Sequence, residues 1–221
     1  MRQIKGILFD FDGTLARTME DNLAAWRAVI SDYGFCLQPE DYYQLEGLRL
    51  EEVAAALFRK QKLTVPDVRE LARLKDEHYL KNHRFSFYPG VEVLVDLLEL
   101  SRIPMGIVTA GVQERLRKSV PAPFLMKFQS IVTCDMTLRG KPHPDPYLRG
   151  AKELQLNPED CLVIENAPLG IKAAKSANAY CIAICSTLRR ALLDDADEIV
   201  SSFEDLLDLP IIQGLLVESY R

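Results

Sequence analysis

The sequence predicts an α/β protein: a parallel sheet with helices on both faces, interrupted after its first strand by an all-helical stretch. Three features carry this reading. From Pro89 onward, short apolar runs alternate with amphipathic helical stretches, and such alternation implies right-handed crossovers within one parallel sheet. The first apolar run, which begins at Ile4, is cut off from the others by residues 18–84, which lack strand signals. Several predicted strands end in polar groups, at the edge where open parallel sheets collect ligands. The economical organisation is an α/β core over residues 1–16 and 88–221, with a helical domain over 17–87 inserted after the first strand.

The elements follow in order. Ile4, Ile7, Leu8 and Phe9 read as a buried strand leading into Asp10-Phe11-Asp12-Gly13-Thr14. Met19, Leu23, Trp26 and Ile30 then recur at helical spacing up to Tyr33-Gly34, with Trp26 as a core anchor. Pro39 to Tyr43 reads as a short helix. Residues 48–62 form another, with Glu51 and Glu52 early and Arg59, Lys60 and Lys62 late, as the helix dipole favours. Pro66 is expected to open a further helix through about Lys81, and Phe85 to Gly90 breaks the helical run. Beyond it come a helix over 91–101, a strand over 104–108, a helix over 112–119 and a strand over 131–134. A helix over 144–154, a strand over 161–164, a helix over 169–176 and a strand over 180–185 follow. A short helix over 188–193, a strand over 198–200 and a closing helix over 203–207 complete the set.

Composition narrows the function. At 221 residues, 48% hydrophobic and 27% charged, the chain has ordinary globular proportions. A net charge of −5 argues against nucleic acid or an anionic membrane as partner. No apolar run approaches the roughly 20 residues needed to span a bilayer. The acidic motif begins by residue 10, too early for a secretory signal. The five cysteines are odd in number and form no CxxC pair, which suits a reducing, cytoplasmic setting.

The strand ends carry the chemistry. Asp10 and Asp12 lie two apart and start out with the same aim. Two carboxylates held together repel unless a cation or shared proton intervenes, and a hard cation such as Mg²⁺ suits oxygen ligands. The plainer alternative is an Asp-Gly turn. The strand after the insert offers Thr109 with the Ala110 and Gly111 amides; the next is followed by Lys141; the one after ends at Glu165-Asn166. Singly, Thr109 reads equally as a helix cap, Lys141 as a solvated loop lysine and Glu165 as a first-turn acid. Together they supply a carboxylate nucleophile, a second carboxyl for proton transfer, anion-holding groups, a fixed cation and metal-ligand oxygens. That inventory fits phosphoryl transfer, which needs positioning and charge neutralisation.

DFDGT, the threonine-ended second strand, GKPHPDPY and ENAPLGIKAA, in this order, resemble the four motifs of the haloacid dehalogenase superfamily. The helical insert resembles the cap of its beta-phosphoglucomutase-like and phosphoglycolate-phosphatase-like branch. The resemblance implies a Rossmann-like core, an aspartyl-phosphate on Asp10, and Asp12 as the proton donor and then base. It implies Thr109 and the Ala110–Gly111 amides at the phosphoryl oxygens, Lys141 neutralising charge, and a cis Lys141–Pro142 bond. Mg²⁺ would sit on Asp10, the Asp12 carbonyl, Asn166 and Glu165, the last directly or through water. Asn22 and Arg49 are the insert residues it offers for substrate or phosphate.

Three departures bear on activity. Asn166 stands where relatives commonly carry Asp, so that ligand brings no charge. Asn22 stands where the mutase has histidine; Glu46 and Leu50 stand where it has lysine and arginine. The expectation is therefore a Mg²⁺-dependent phosphatase of a small phosphorylated metabolite, monomeric or weakly dimeric. A sugar-phosphate mutase and a catalytically silent binding module are the alternatives.

Overall fold

A computed structural model describes residues 3–218. Six strands form one sheet: β1 (Gly6–Phe9), β2 (Met105–Val108), β3 (Ser130–Val132), β4 (Cys161–Glu165), β5 (Tyr180–Ile184) and β6 (Glu198–Val200). Their order is β3-β2-β1-β4-β5-β6, and every pairing is parallel. The first strand in the chain is thus central. The chain leaves it in one direction through β2 and β3 and in the other through β4 to β6, and a crevice opens where the directions part. Register pairs Phe9 with Ile107 on one side and with Ile164 on the other, which brings the residues after all three strands to one rim.

Strand alternation sorts the core. Ile7 and Phe9 face one buried layer with Ile107, Leu162 and Ile164, whereas Leu8 faces the other with Val108 and Val163. The first layer is closed by α5 (Val91–Leu100), α6 (Gln113–Ser119), α7 (Ala122–Leu125), α10 (Phe203–Leu207) and α11 (Pro210–Glu218). The second is closed by α8 (Asp145–Glu153) and α9 (Pro168–Ser176). A sheet covered on both faces explains why its strands read as apolar runs rather than as alternating ones.

Between β1 and α5 lie α1 (Met19–Ile30), α2 (Pro39–Tyr43), α3 (Leu50–Lys60) and α4 (Val68–Asn82). They enclose a third apolar cluster built on Trp26, Leu57, Phe58 and Leu71. Tyr33 and Phe35 pack edge-on to Phe58, and Gly34 ends the first segment at φ +77°. The two connections to the core run side by side. Ala16 bridges Phe87 in antiparallel fashion, the Arg17 amide donates to Ser86 and the Tyr88 amide donates to Leu15.

Several boundaries differ from the sequence expectation. The strand starts at Gly6 rather than Ile4, although Ile4 is buried. The helix expected from Pro66 starts at Val68, because the Asp67 carboxylate accepts from the Arg69 and Glu70 amides and makes the stronger cap. Residues 188–193 yield only a 3-10 turn at Arg190–Leu192. Helices α7 and α11 had no counterpart in the sequence reading; in α11 Pro210 occupies the first turn, where its missing N–H costs nothing. The Lys141–Pro142 bond is cis, as the resemblance implied.

Trp26 is fully buried at the centre of the helical cluster. Trp26→Ala should cost about 3–5 kcal/mol in the insert. Urea denaturation followed by circular dichroism should show a lowered midpoint; an unchanged midpoint would contradict a Trp26-centred core.

Candidate active site

The rim after β1, β2 and β4 gathers most of the residues singled out in the sequence. Asp10 follows β1 directly and is 5% exposed. Its Oδ1 accepts from the Lys141 ammonium at 2.5 Å, and the same ammonium donates to Glu165 Oε1 at 2.6 Å. Lys141 is 3% exposed and also lies over the Tyr147 ring. Glu165 is saturated: Oε1 also accepts from the Tyr147 hydroxyl, and Oε2 accepts from the Asn166 and Ala167 amides. Gly170 makes room for it, since a Cβ there would stand 1.6 Å from Glu165 Oε1.

Asp12 is held by different partners. The Thr18 hydroxyl donates to Oδ1 at 2.7 Å, the Arg115 guanidinium to Oδ2 at 2.5 Å, and the Asn22 amide reaches Oδ1 at 3.3 Å. Thr109 Oγ1 is 3.4 Å from Asp12 Oδ2 and accepts from the Gly111 amide. Asn22 Oδ1 in turn accepts from Lys75 and Arg115. Asn166 is tied on both sides. Its Oδ1 accepts from the Thr14 hydroxyl, and its Nδ2 donates to Glu46 at 2.6 Å and to Thr187 at 2.9 Å.

Asp10, Asp12, Asn22, Ala110, Gly111, Glu165 and Asn166 line one cavity beneath the insert. Thr109 and Lys141 line a smaller one beside it, shared with Ala110. Arg49 also lines that smaller cavity, but its guanidinium donates to the Thr137 carbonyl and packs on Gly140. Arg49 therefore clips the insert to a core loop instead of entering the main cavity.

Three charged groups went unrecognised as site residues in the sequence: Lys75, Arg115 and Glu46. The insert carries one buried cation near the site: Lys75 donates to Asn22, beside Arg115 of the core. The signal was present. Leu71, Ala72, Lys75 and Tyr79 share the buried face of α4, and a lysine on an apolar stripe is the exception that marks a site. Arg115 had a weaker signal, being one of several basic residues in α6.

The electrostatics sort the two aspartates. Burial, with Glu165 adding and Lys141 opposing, pushes the Asp10 carboxyl up to about 7. Lys141 is pushed up by Asp10 and Glu165 despite its burial. For Asp12 burial acts upward but is outweighed by Arg115, Thr18 and Lys75, so its carboxyl is held below the usual range. Burial and the neighbouring Arg115 push Lys75 down to about 8.

The donor set suits a hard divalent cation. Asp10 Oδ2 is buried with no hydrogen-bond partner, and so is Glu46 Oε1. Buried carboxylate oxygens left unpaired are costly unless a cation meets them. Among the described residues no three His, Cys, Asp or Glu side chains form a ligand cluster, so a divalent cation here would need amide and carbonyl oxygens as well.

A sequence model of the haloacid dehalogenase-like hydrolases matches residues 7–184. The chain belongs to this family. Among relatives of this haloacid dehalogenase-like hydrolase, hexitol phosphatase A of Escherichia coli K12 is 30% identical over 218 residues, covering 91% of this chain and 93% of that protein. The beta-phosphoglucomutase of Bacillus subtilis 168 is 27% identical, covering 82% of this chain and 83% of its own. CbbY of Rhodobacter sphaeroides, solved in complex with phosphate, superposes with a TM-score of 0.82 at 26% identity, over 96% of this chain and 100% of that one. The family thus accounts for the sheet, the helical insert and the motif order together.

Lys75 generates a pH prediction. Its folded value near 8 lies below the 10.5 of an unperturbed lysine, so between these values the unfolded chain binds more protons and stability rises with pH. The cost of burying the ammonium is present below pH 8. Lys75→Met should therefore melt above wild type at pH 7, with the advantage fading toward pH 10. A pH-independent difference in melting temperature would show that Lys75 is not buried as a cation.

Proposed function

We propose that the chain is a Mg²⁺-dependent phosphatase of a small, hydroxyl-rich phosphorylated metabolite, working through an aspartyl-phosphate on Asp10. The observation that carries this reading is the division of labour between two neighbouring carboxyls. Asp10 is locked to Lys141, whereas Asp12 is held by Thr18, Arg115 and Asn22. One is thus positioned by a fixed cation for attack, and the other stands free of that cation for proton transfer.

Asp10 attacks phosphorus in line, and the bond to the ester oxygen breaks. Lys141 offsets the charge on Asp10 and on the phosphoryl oxygens. The Thr109 hydroxyl and the amides of Ala110 and Gly111 orient those oxygens. An entering phosphate ester competes with Asp12 for Arg115; once relieved, the buried Asp12 carboxylate takes up a proton from solvent and gives it to the leaving alcohol. Asp12 then takes a proton from water as the water attacks phosphorus, freeing inorganic phosphate and restoring Asp10. Asp10, the Asp12 carbonyl and Asn166 would hold Mg²⁺, which would supply charge neutralisation at the phosphoryl group.

The insert acts as a cap whose inner face selects the substrate. Lys75 and Arg115 sit beside Asp12, where the leaving group would lie, and Asn22 joins them. This wall suits a polyol or sugar, in keeping with the resemblance to hexitol phosphatase A. It also favours a second reading, because two buried cations could hold the far phosphate of a bisphosphate, as a sugar-phosphate mutase requires. Among the described residues no helix is long and apolar enough to cross a membrane. The five free cysteines support a reducing, cytoplasmic setting.

Phosphate release from a panel of sugar and polyol phosphates with Mg²⁺ tests the main reading. A hexose 1-phosphate with trace bisphosphate, scored for isomer formation without phosphate release, tests the second; no turnover in either assay would leave a silent module. Asp10→Asn should reduce kcat below detection while leaving the circular dichroism spectrum intact. Asp12→Asn should lower kcat roughly 10²–10⁴-fold, the usual worth of a positioned acid–base group. Turnover by purified Asp10→Asn at more than a trace would overturn the mechanism.

A further inference from the structure

Glu46 is a buried carboxyl that the mechanism above does not use. It lies in the turn Leu45-Glu46-Gly47 of the insert, is 5% exposed, and lines the same cavity as Asp10. Gly47, at φ +89°, seats this turn on the rim: a Cβ there would stand 3.3 Å from the Lys141 side chain and 3.7 Å from the Gly170 amide. The turn thus delivers a carboxylate from the insert onto the carboxyl ends of the core strands.

Only one oxygen of that carboxylate is satisfied. Oε2 accepts from Asn166 Nδ2 at 2.6 Å and from the Thr187 hydroxyl at 3.1 Å, and both donors are uncharged. Oε1 is buried without a partner, as is Oδ2 of Asp10. Two orphaned carboxyl oxygens thus belong to residues lining one cavity. Burial pushes the Glu46 carboxyl well above the usual carboxylate range, and Asp10 and Glu165 add to that rise against the Thr187 and Asn166 hydrogen bonds. Three carboxyls, Asp10, Glu46 and Glu165, share this region with the one Lys141 ammonium, which bonds Asp10 and Glu165 but not Glu46. Glu165 is already bonded through both oxygens, so the oxygens free for a cation are those of Asp10 and Glu46.

We propose that Glu46 is a divalent-metal ligand carried by the helical insert, whose Oε1 joins Asp10 Oδ2 in taking the cation. The inference rests on the metal-dependent reading above and adds to it a ligand outside the four motifs. It unites two peculiarities of the sequence. Residue 166 is an amide and brings no charge to the metal, and residue 46, hydrogen-bonded directly to it, is a carboxylate that does. The negative charge has moved across the crevice from core to insert. Metal binding consequently favours the seated insert, because the cation gains a ligand only in that position.

A merely structural role predicts a different outcome on substitution. If Glu46 served only to accept from Asn166 and Thr187, Glu46→Gln would keep an oxygen for that bond and leave metal affinity unchanged. The test uses the full chain without substrate. Mg²⁺ binding is followed by calorimetry and Mn²⁺ binding by electron paramagnetic resonance, with circular dichroism as the check on folding. Glu46→Gln should weaken both ions by at least roughly 10–100-fold, the range seen when even the outer-shell partners of metal ligands are lost. The double variant Glu46→Gln/Asn166→Asp, which returns the charge to the core side, should recover affinity to within about threefold of wild type. The rise in melting temperature with saturating Mn²⁺ should shrink in the single variant and return in the double one. Wild-type affinity in Glu46→Gln would overturn the proposal while leaving metal dependence standing. Absence of binding to the wild-type chain at millimolar metal would overturn the metal-dependent reading and the proposal together.

Discussion

The arrangement of the rim depends on one buried ammonium. Lys141, shared between Asp10 and Glu165, stands where an unpaired charge would be strongly destabilising. Its two carboxylates come from adjacent strands, β1 and β4, so the ammonium ties together the residues just beyond the sheet's central pair. Glu165 can serve as the fixed side of this bridge because four donors hold it: Lys141, Tyr147 and two backbone amides. Asp10 is then left with one oxygen bound and one free. The lysine thereby orients the carboxylate as well as offsetting its charge.

A second electrostatic unit, built around Asp12, stands beside the first and belongs to both layers of the molecule. Thr18 and Asn22 come from the start of the insert, Lys75 from its last helix, and Arg115 from the core. Arg115 and Lys75 both lie over the Tyr79 ring, a cation–π platform at the junction. Before substrate enters, this network compensates Asp12 so fully that it is held as a carboxylate. Asp12 is thus governed by contacts across the crevice, whereas the Asp10–Lys141–Glu165 bridge lies within the core.

Much of this was legible in the sequence because it is local. Asp10 and Asp12 two apart after an apolar run, Thr109 at a strand end and Glu165-Asn166 at another were readable as one rim once the sheet was taken as parallel. The less legible part was non-local. That Glu46 meets Asn166, 120 residues away, follows from how the insert's turn sits on the core, and hydrophobic periodicity does not encode that. Arg49 shows the same limit in reverse: an arginine near the expected position turned out to grip Thr137, because the α3 N-terminus directs it to the neighbouring loop. Helix α11 was missed for a different reason. Its apolar residues Ile212 and Leu215 are helically spaced, but a glycine at 214 weakens the local propensity that tertiary packing overrides.

The paired connections at Ala16 and Phe87 have a consequence for how such a chain can diversify. The insert leaves and re-enters the core through segments already hydrogen-bonded to each other. Topologically it therefore behaves like an enlarged surface loop: its ends are held together whatever lies between, and the entropy of closing a loop grows only with the logarithm of its length. A stretch of different length or helix count could be exchanged at this junction without changing strand order or register. Heredity can thus exchange the insert and leave the sheet untouched, by recombination as well as by point substitution.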